Sequence, residues 1–181
     1  MGKANDEMSG ASGISRGLQT VVLSLVLFAV AFGAHEVMHL LVLYAVGGHG
    51  SIIVRPWRMG MIDASIGSVH VQPDQPIGLL RQLLVNFLGP VLAAIPLVVL
   101  LTYVRNPIAR AAIGANAAIL GFFALIEAAD LLIEQLGDFD LGVLTTPEFN
   151  YGVPLLIILL AAFGVIWSPD RGARHDRVKA G

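Results

Sequence analysis

Apolar residues run almost without a break from Leu18 to Val46, and Glu36 is the one charged residue among them. A run of that length crosses a bilayer, for which about 20 apolar residues suffice. Three more runs follow. Gln82–Val104 carries no charged residue. Ala111–Leu136 is apolar at first and then holds Glu127, Asp130 and Glu134. Gly152–Trp167 is shorter and ends on a Trp, the residue type that anchors helix ends at the membrane interface. Residues 47–77 hold Gly47, Gly48, Gly50, Pro56, Gly60, Pro73 and Pro76, so no long helix fits there. Two β-like segments in that loop, Ser51–Val54 and Ile66–Gln72, predict a small hairpin or edge strand. Arg105–Arg110 is a short connector, and its Asn106-Pro107 step suits a new helix N-terminus. Residues 137–151 (GDFDLGVLTTPEFNY) read as an acidic loop.

This pattern predicts an all-α polytopic membrane protein with about four transmembrane helices and a small β-hairpin in the first loop. A single membrane-embedded domain is expected over residues 18–168. A flexible polar tail (1–17) precedes it and a basic tail (169–181) follows. There is no internal repeat. A signal peptide is the alternative for the first run, with Lys3 and Arg16 as its basic region. The apolar stretch outlasts the roughly 7–15 residues such a segment uses.

Composition agrees. The chain has 181 residues, 56% hydrophobic and 13% charged, against about 25% charged in soluble domains. Mean hydropathy is +0.77. A chain this short and this apolar cannot cover itself with polar surface in water, so the lipid bilayer is its expected surrounding. The net charge of −2, without a basic patch, excludes a nucleic-acid footprint. The absence of Cys excludes disulfides, thiolate ligands and cysteine nucleophiles.

Chemistry concentrates in the first run, at His35-Glu36-Val37-Met38-His39. The spacing is H-E-x-x-H. On a helix, positions i and i+4 share a face, so His35 and His39 can grip one metal ion. Imidazole nitrogens suit zinc, one ion per chain, although iron or cobalt also accepts such donors. Glu36 beside the pair is placed to act as general base on a water. Two His and a Glu inside an apolar span are costly, which marks them as functional residues. The bland alternative is a buried polar face that pairs with Glu127 or Asp130 for packing.

A catalytic zinc takes three protein ligands and keeps one position open. The loop residues His49 and His70 are weak candidates for the third. Asp138 and Asp140 are stronger, because after two more spans the chain returns to the side of the first loop. Glu127, Asp130 and Glu134 share one helix face, where they read as a polar helix end. Glu127 or Asp130 can also serve as an outer partner that orients a ligand His.

The pattern resembles the site-2 protease family of intramembrane zinc metalloproteases, as a compact, divergent member. Three elements carry the resemblance: His35–His39, Asn86-Phe87-Leu88-Gly89-Pro90, and Phe139-Asp140-Leu141-Gly142. It covers roughly residues 20–145. It implies a metalloendopeptidase that cuts a transmembrane protein substrate in or near its membrane segment. It also implies an Asp as third zinc ligand, here Asp138 or Asp140. The β-like segments would then pair with an unwound substrate strand. The alternative function is a non-catalytic metal-binding membrane protein, a metal sensor or transporter subunit. The expected location is the cell membrane; oligomeric state stays open.

Orientation is contested. Lys3, Arg16, Arg105, Arg110, Arg171, Arg174, Arg177 and Lys179 fall on one side, and Arg55, Arg58 and Arg81 on the other. The positive-inside rule puts both termini in the cytoplasm and opens the site outward. The family resemblance implies a site nearer the cytosol.

Overall fold

Glycine, proline and a few polar breaks cut the apolar chain into helices, and the breaks fall where the backbone can be capped. The computed structural model describes residues 2–58, 65–137 and 147–168. The elements are α1 (Gly2–Ala45), β1 (Gly50–Arg58), β2 (Ser65–Pro73), α2 (Leu79–Tyr103), α3 (Pro107–Leu136) and α4 (Pro147–Trp167). Four helices are long and apolar enough to cross a membrane. The protein is a multi-pass, all-α membrane protein with a small hairpin between its first two helices.

α1 ends in a Schellman turn. Gly47 takes φ +80°, a left-handed conformation that favours glycine. The Gly47 N–H donates to the Tyr44 carbonyl (3.0 Å) and the Gly48 N–H to the Leu43 carbonyl (2.9 Å). The chain leaves this turn directly into β1, which pairs antiparallel with β2 from Gly50 opposite Pro73 to Arg58 opposite Ser65. Pro56 is tolerated in β1 because a two-stranded sheet has only edge strands.

The α2–α3 connector is tightly capped. The Asn106 side chain accepts from the N–H groups of Ile108 (2.9 Å) and Ala109 (3.1 Å), with Pro107 at the first helical position. Arg110 Nη1 donates to the Leu101 and Val104 carbonyls at the end of α2 (3.2 and 3.3 Å). Pro90 and Pro96 lie inside α2 and Pro154 inside α4, as membrane helices allow.

α1 and α3 form the centre of the bundle, each packing on all three other helices. Ala115, Ile119 and Phe123 of α3 meet Ile158 of α4, with Val21, Phe28 and Phe32 of α1 alongside. Ala31, Ala93 and Leu120 join α1, α2 and α3. Val42 and Leu43 of α1 meet Val85 of α2, and Val71 of β2 packs there, docking the hairpin on the bundle end. Between α1 and α3, buried Asn116 donates through Nδ2 to the Ser24 carbonyl (3.1 Å) and to the Ala112 carbonyl (2.9 Å).

Two helices begin earlier than their apolar runs: α1 at Gly2, with an apolar window opening at Ser12, and α4 at Pro147, inside the expected acidic loop. Gly13 and Gly17 abut Ile166 of α4. Their missing side chains lower helix propensity in isolation but let two membrane helices approach closely.

Candidate metal centre

Helix direction sets the site. α1 and α3 both run toward the hairpin end, and α2 runs away from it. His35 lies ten residues before Ala45, the last residue of α1, and Glu127 nine before Leu136, the last of α3. His39 lies six residues before Ala45, and Val85 six after Leu79, the first residue of α2. At about 1.5 Å per residue these groups occupy one layer, roughly 9–15 Å inside the helix ends.

In that layer His35 Nε2 and His39 Nε2 stand 2.6 Å apart. The Glu127 carboxylate closes the triangle, with Oε1 3.2 Å from His35 Nε2 and Oε2 3.0 Å from His39 Nε2. Among the described residues these three form the group of His, Asp and Glu able to hold a metal ion. Both imidazoles are buried, and the Glu127 side chain is 31% exposed among the described residues.

The ring of His39 is fixed at its second nitrogen. His39 Nδ1 donates to the Val85 carbonyl (2.8 Å), so in the neutral ring the Nε2 lone pair faces Glu127 and His35. His35 lies stacked on Phe123, with ring centroids 5.7 Å apart and planes 10° apart. Its Nδ1 is buried without a hydrogen-bond partner among the described residues, and so is Glu36 Oε2. Glu36 itself is 6% exposed.

The donor set fits a metal ion. Two imidazole nitrogens and one carboxylate are a known catalytic zinc set. Bonds of about 2.0–2.1 Å in a tetrahedron put donors about 3.3 Å apart. One donor atom from each of the three residues lies within 4.8 Å of the others, and each imidazole faces a different oxygen of Glu127. The nitrogen–nitrogen edge of 2.6 Å must open by roughly 0.7 Å, which small side-chain rotations supply.

The structure thus brings together His35, His39 and Glu127, with Glu36 buried on the same helix turn. In the sequence Glu127 is one of several candidate carboxylates, ranked below Asp138 and Asp140 and read as a polar helix end or an outer partner. Asp138 and Asp140, the expected third ligands, lie outside the described residues. His49 is exposed beside the Tyr44 ring and does not join the group, nor does His70 on β2. Asp130 is half-buried and Glu134 exposed, and neither joins it.

No protein-family model, no curated protein and no solved structure matches this chain. The resemblance to site-2 proteases therefore stands on the residues that carry it.

Proposed function

We propose that this chain is an intramembrane zinc metalloprotease of the cell membrane, hydrolysing a peptide bond in or near a transmembrane segment of a protein substrate. One observation carries the reading. Two buried His of α1 and a Glu of α3 converge within a membrane bundle, and Glu36 on the same turn of α1 has a buried oxygen, Oε2, without a partner among the described residues.

His35, His39 and Glu127 would hold the ion. Zinc bound there supplies a Lewis acid for the scissile carbonyl and makes water more acidic. Glu36 takes the proton of the attacking water and returns it to the leaving amine as the C–N bond breaks. The hairpin, docked on the bundle end nearest the site, is two-stranded among the described residues, and an unwound substrate would add to it as a further strand.

The test begins with elemental mass spectrometry on detergent-purified protein. Wild type is expected to hold about one zinc per chain, and His35→Ala none. The protein is then placed in liposomes with a panel of single-span membrane proteins. Cleavage is read by mass spectrometry of the products, with Glu36→Gln as control. That variant should keep its zinc and lose activity by at least about 100-fold. Wild type without metal after zinc is supplied would sink the reading. Cleavage by Glu36→Gln at the wild-type rate would remove Glu36 from the chemistry.

A further inference from the structure

The segment Val85–Pro90 of α2 supplies no ligand, yet it touches both sides of the centre. The Val85 carbonyl accepts from His39 Nδ1 (2.8 Å). One residue on, Asn86 Nδ2 donates to the backbone carbonyl of Glu127 (3.3 Å). One turn on, Gly89 lies directly against the His39 imidazole, where a Cβ would collide with the ring. Pro90 follows, buried, and its missing N–H leaves the Asn86 carbonyl without its usual helical donor.

We propose that Val85–Pro90 is the positioning element of the metal centre, with Asn86 setting where Glu127 stands and Val85 and Gly89 setting where His39 stands. The proposal rests on the reading of His35, His39 and Glu127 as metal ligands. Its physical content is a registry argument. His35 and His39 are matched by helix geometry alone, since both sit on α1. Glu127 comes from another helix, and beyond the Phe123 ring stacked on His35 one turn earlier it needs a constraint of its own on height and rotation against α1. Asn86 supplies that constraint at the Glu127 backbone itself, while the neighbouring carbonyl holds His39. Two ligands from two helices are thereby referred to one short stretch of a third. The Asn86 contact acts through Glu127, so Asn86 is a positioning residue and not a catalytic one. In an apolar medium its amide has few other partners, which favours this bond over fluctuating ones.

The experiment uses the full chain in detergent and zinc alone as probe. Zinc affinity is measured by competition with a chelating dye, and the metal-free protein is melted in parallel. Asn86→Leu keeps bulk and removes the donor. It should weaken zinc binding about 10-fold, the usual effect of losing an outer partner, with metal-free melting unchanged. Asn86→Gln retains the donor and should recover most of the affinity. Asn116→Leu removes an α1–α3 hydrogen bond away from the centre and should leave affinity at the wild-type value. Should Asn86→Leu not fold, Asn86→Ser, whose hydroxyl falls short of the Glu127 carbonyl, is read instead with the same outcomes. Wild-type affinity in the variant overturns the proposal while leaving the metal centre standing. A wild-type protein that binds no zinc overturns both.

Discussion

His39 is held at Nδ1 by the Val85 carbonyl and turns its Nε2 to Glu127, whereas His35 is positioned by the rings of Phe123 and Phe32. The third member, Glu127, contributes both oxygens, one to each imidazole. Removing its charge should therefore unbalance the whole triangle. Glu127→Gln is expected to purify with well under one zinc per chain, while Asp138→Asn and Asp140→Asn keep it, as elemental analysis of the three variants would show. Loss of zinc in an Asp variant instead would return the third-ligand role to the acidic loop. The residue pattern explains what could be read in advance. His35, Glu36 and His39 were legible because one helix turn fixes their spacing. Glu127 was visible as a costly charge in an apolar run, by the same logic as Glu36. Its meeting with the pair depends on how α3 slides along α1, which no local pattern encodes. Matching distances from the helix ends, ten residues for His35 and nine for Glu127, were the one usable signal.

The elements themselves were largely written in the hydropathy pattern. Each expected span lies within a helix or overlaps it to within a residue or so at its ends, and both β-like segments lie in the observed strands. The starts of α1 and α4 differ: each helix begins before its apolar run, α4 within the expected acidic loop. In α1 the neighbouring helix shows what Gly13 and Gly17 pack against. Between α1 and α3 the apolar interface carries one buried amide. Asn116 donates to Ser24, but its own Oδ1 and Ser24 Oγ are buried without partners among the described residues. Such interhelical bonds in membranes average about 0.6 kcal/mol and reach about 1.7. Asn116→Ala should thus destabilise the bundle by about that much plus a cavity term, measured by unfolding in mixed micelles with a denaturing detergent. A stability equal to wild type would show that the amide is not what joins the helices.

For the whole molecule the open matter is which way the bundle faces. Basic residues favour termini in the cytoplasm, with the hairpin and the adjacent metal layer toward the outside. The cysteine-free chain makes this directly measurable. Ser51→Cys on β1 and Ser168→Cys just beyond α4 are exposed positions on opposite ends. With termini inside, a membrane-impermeant maleimide labels the first in intact cells and the second only after lysis. The reverse labelling would place the site nearer the cytosol, as the family resemblance implies. The Schellman turn between α1 and β1 has a mechanical consequence in either orientation. Its two backbone bonds and the Gly48–Leu43 contact join strand and helix with no hinge between them. Val71 and Leu43 brace the same joint from the sheet side. The hairpin is therefore a short crank fixed to a rod about 66 Å long. A pull on its outer edge is delivered as torque on α1, and the twist passes down to His39 and His35, about two and three turns below the joint.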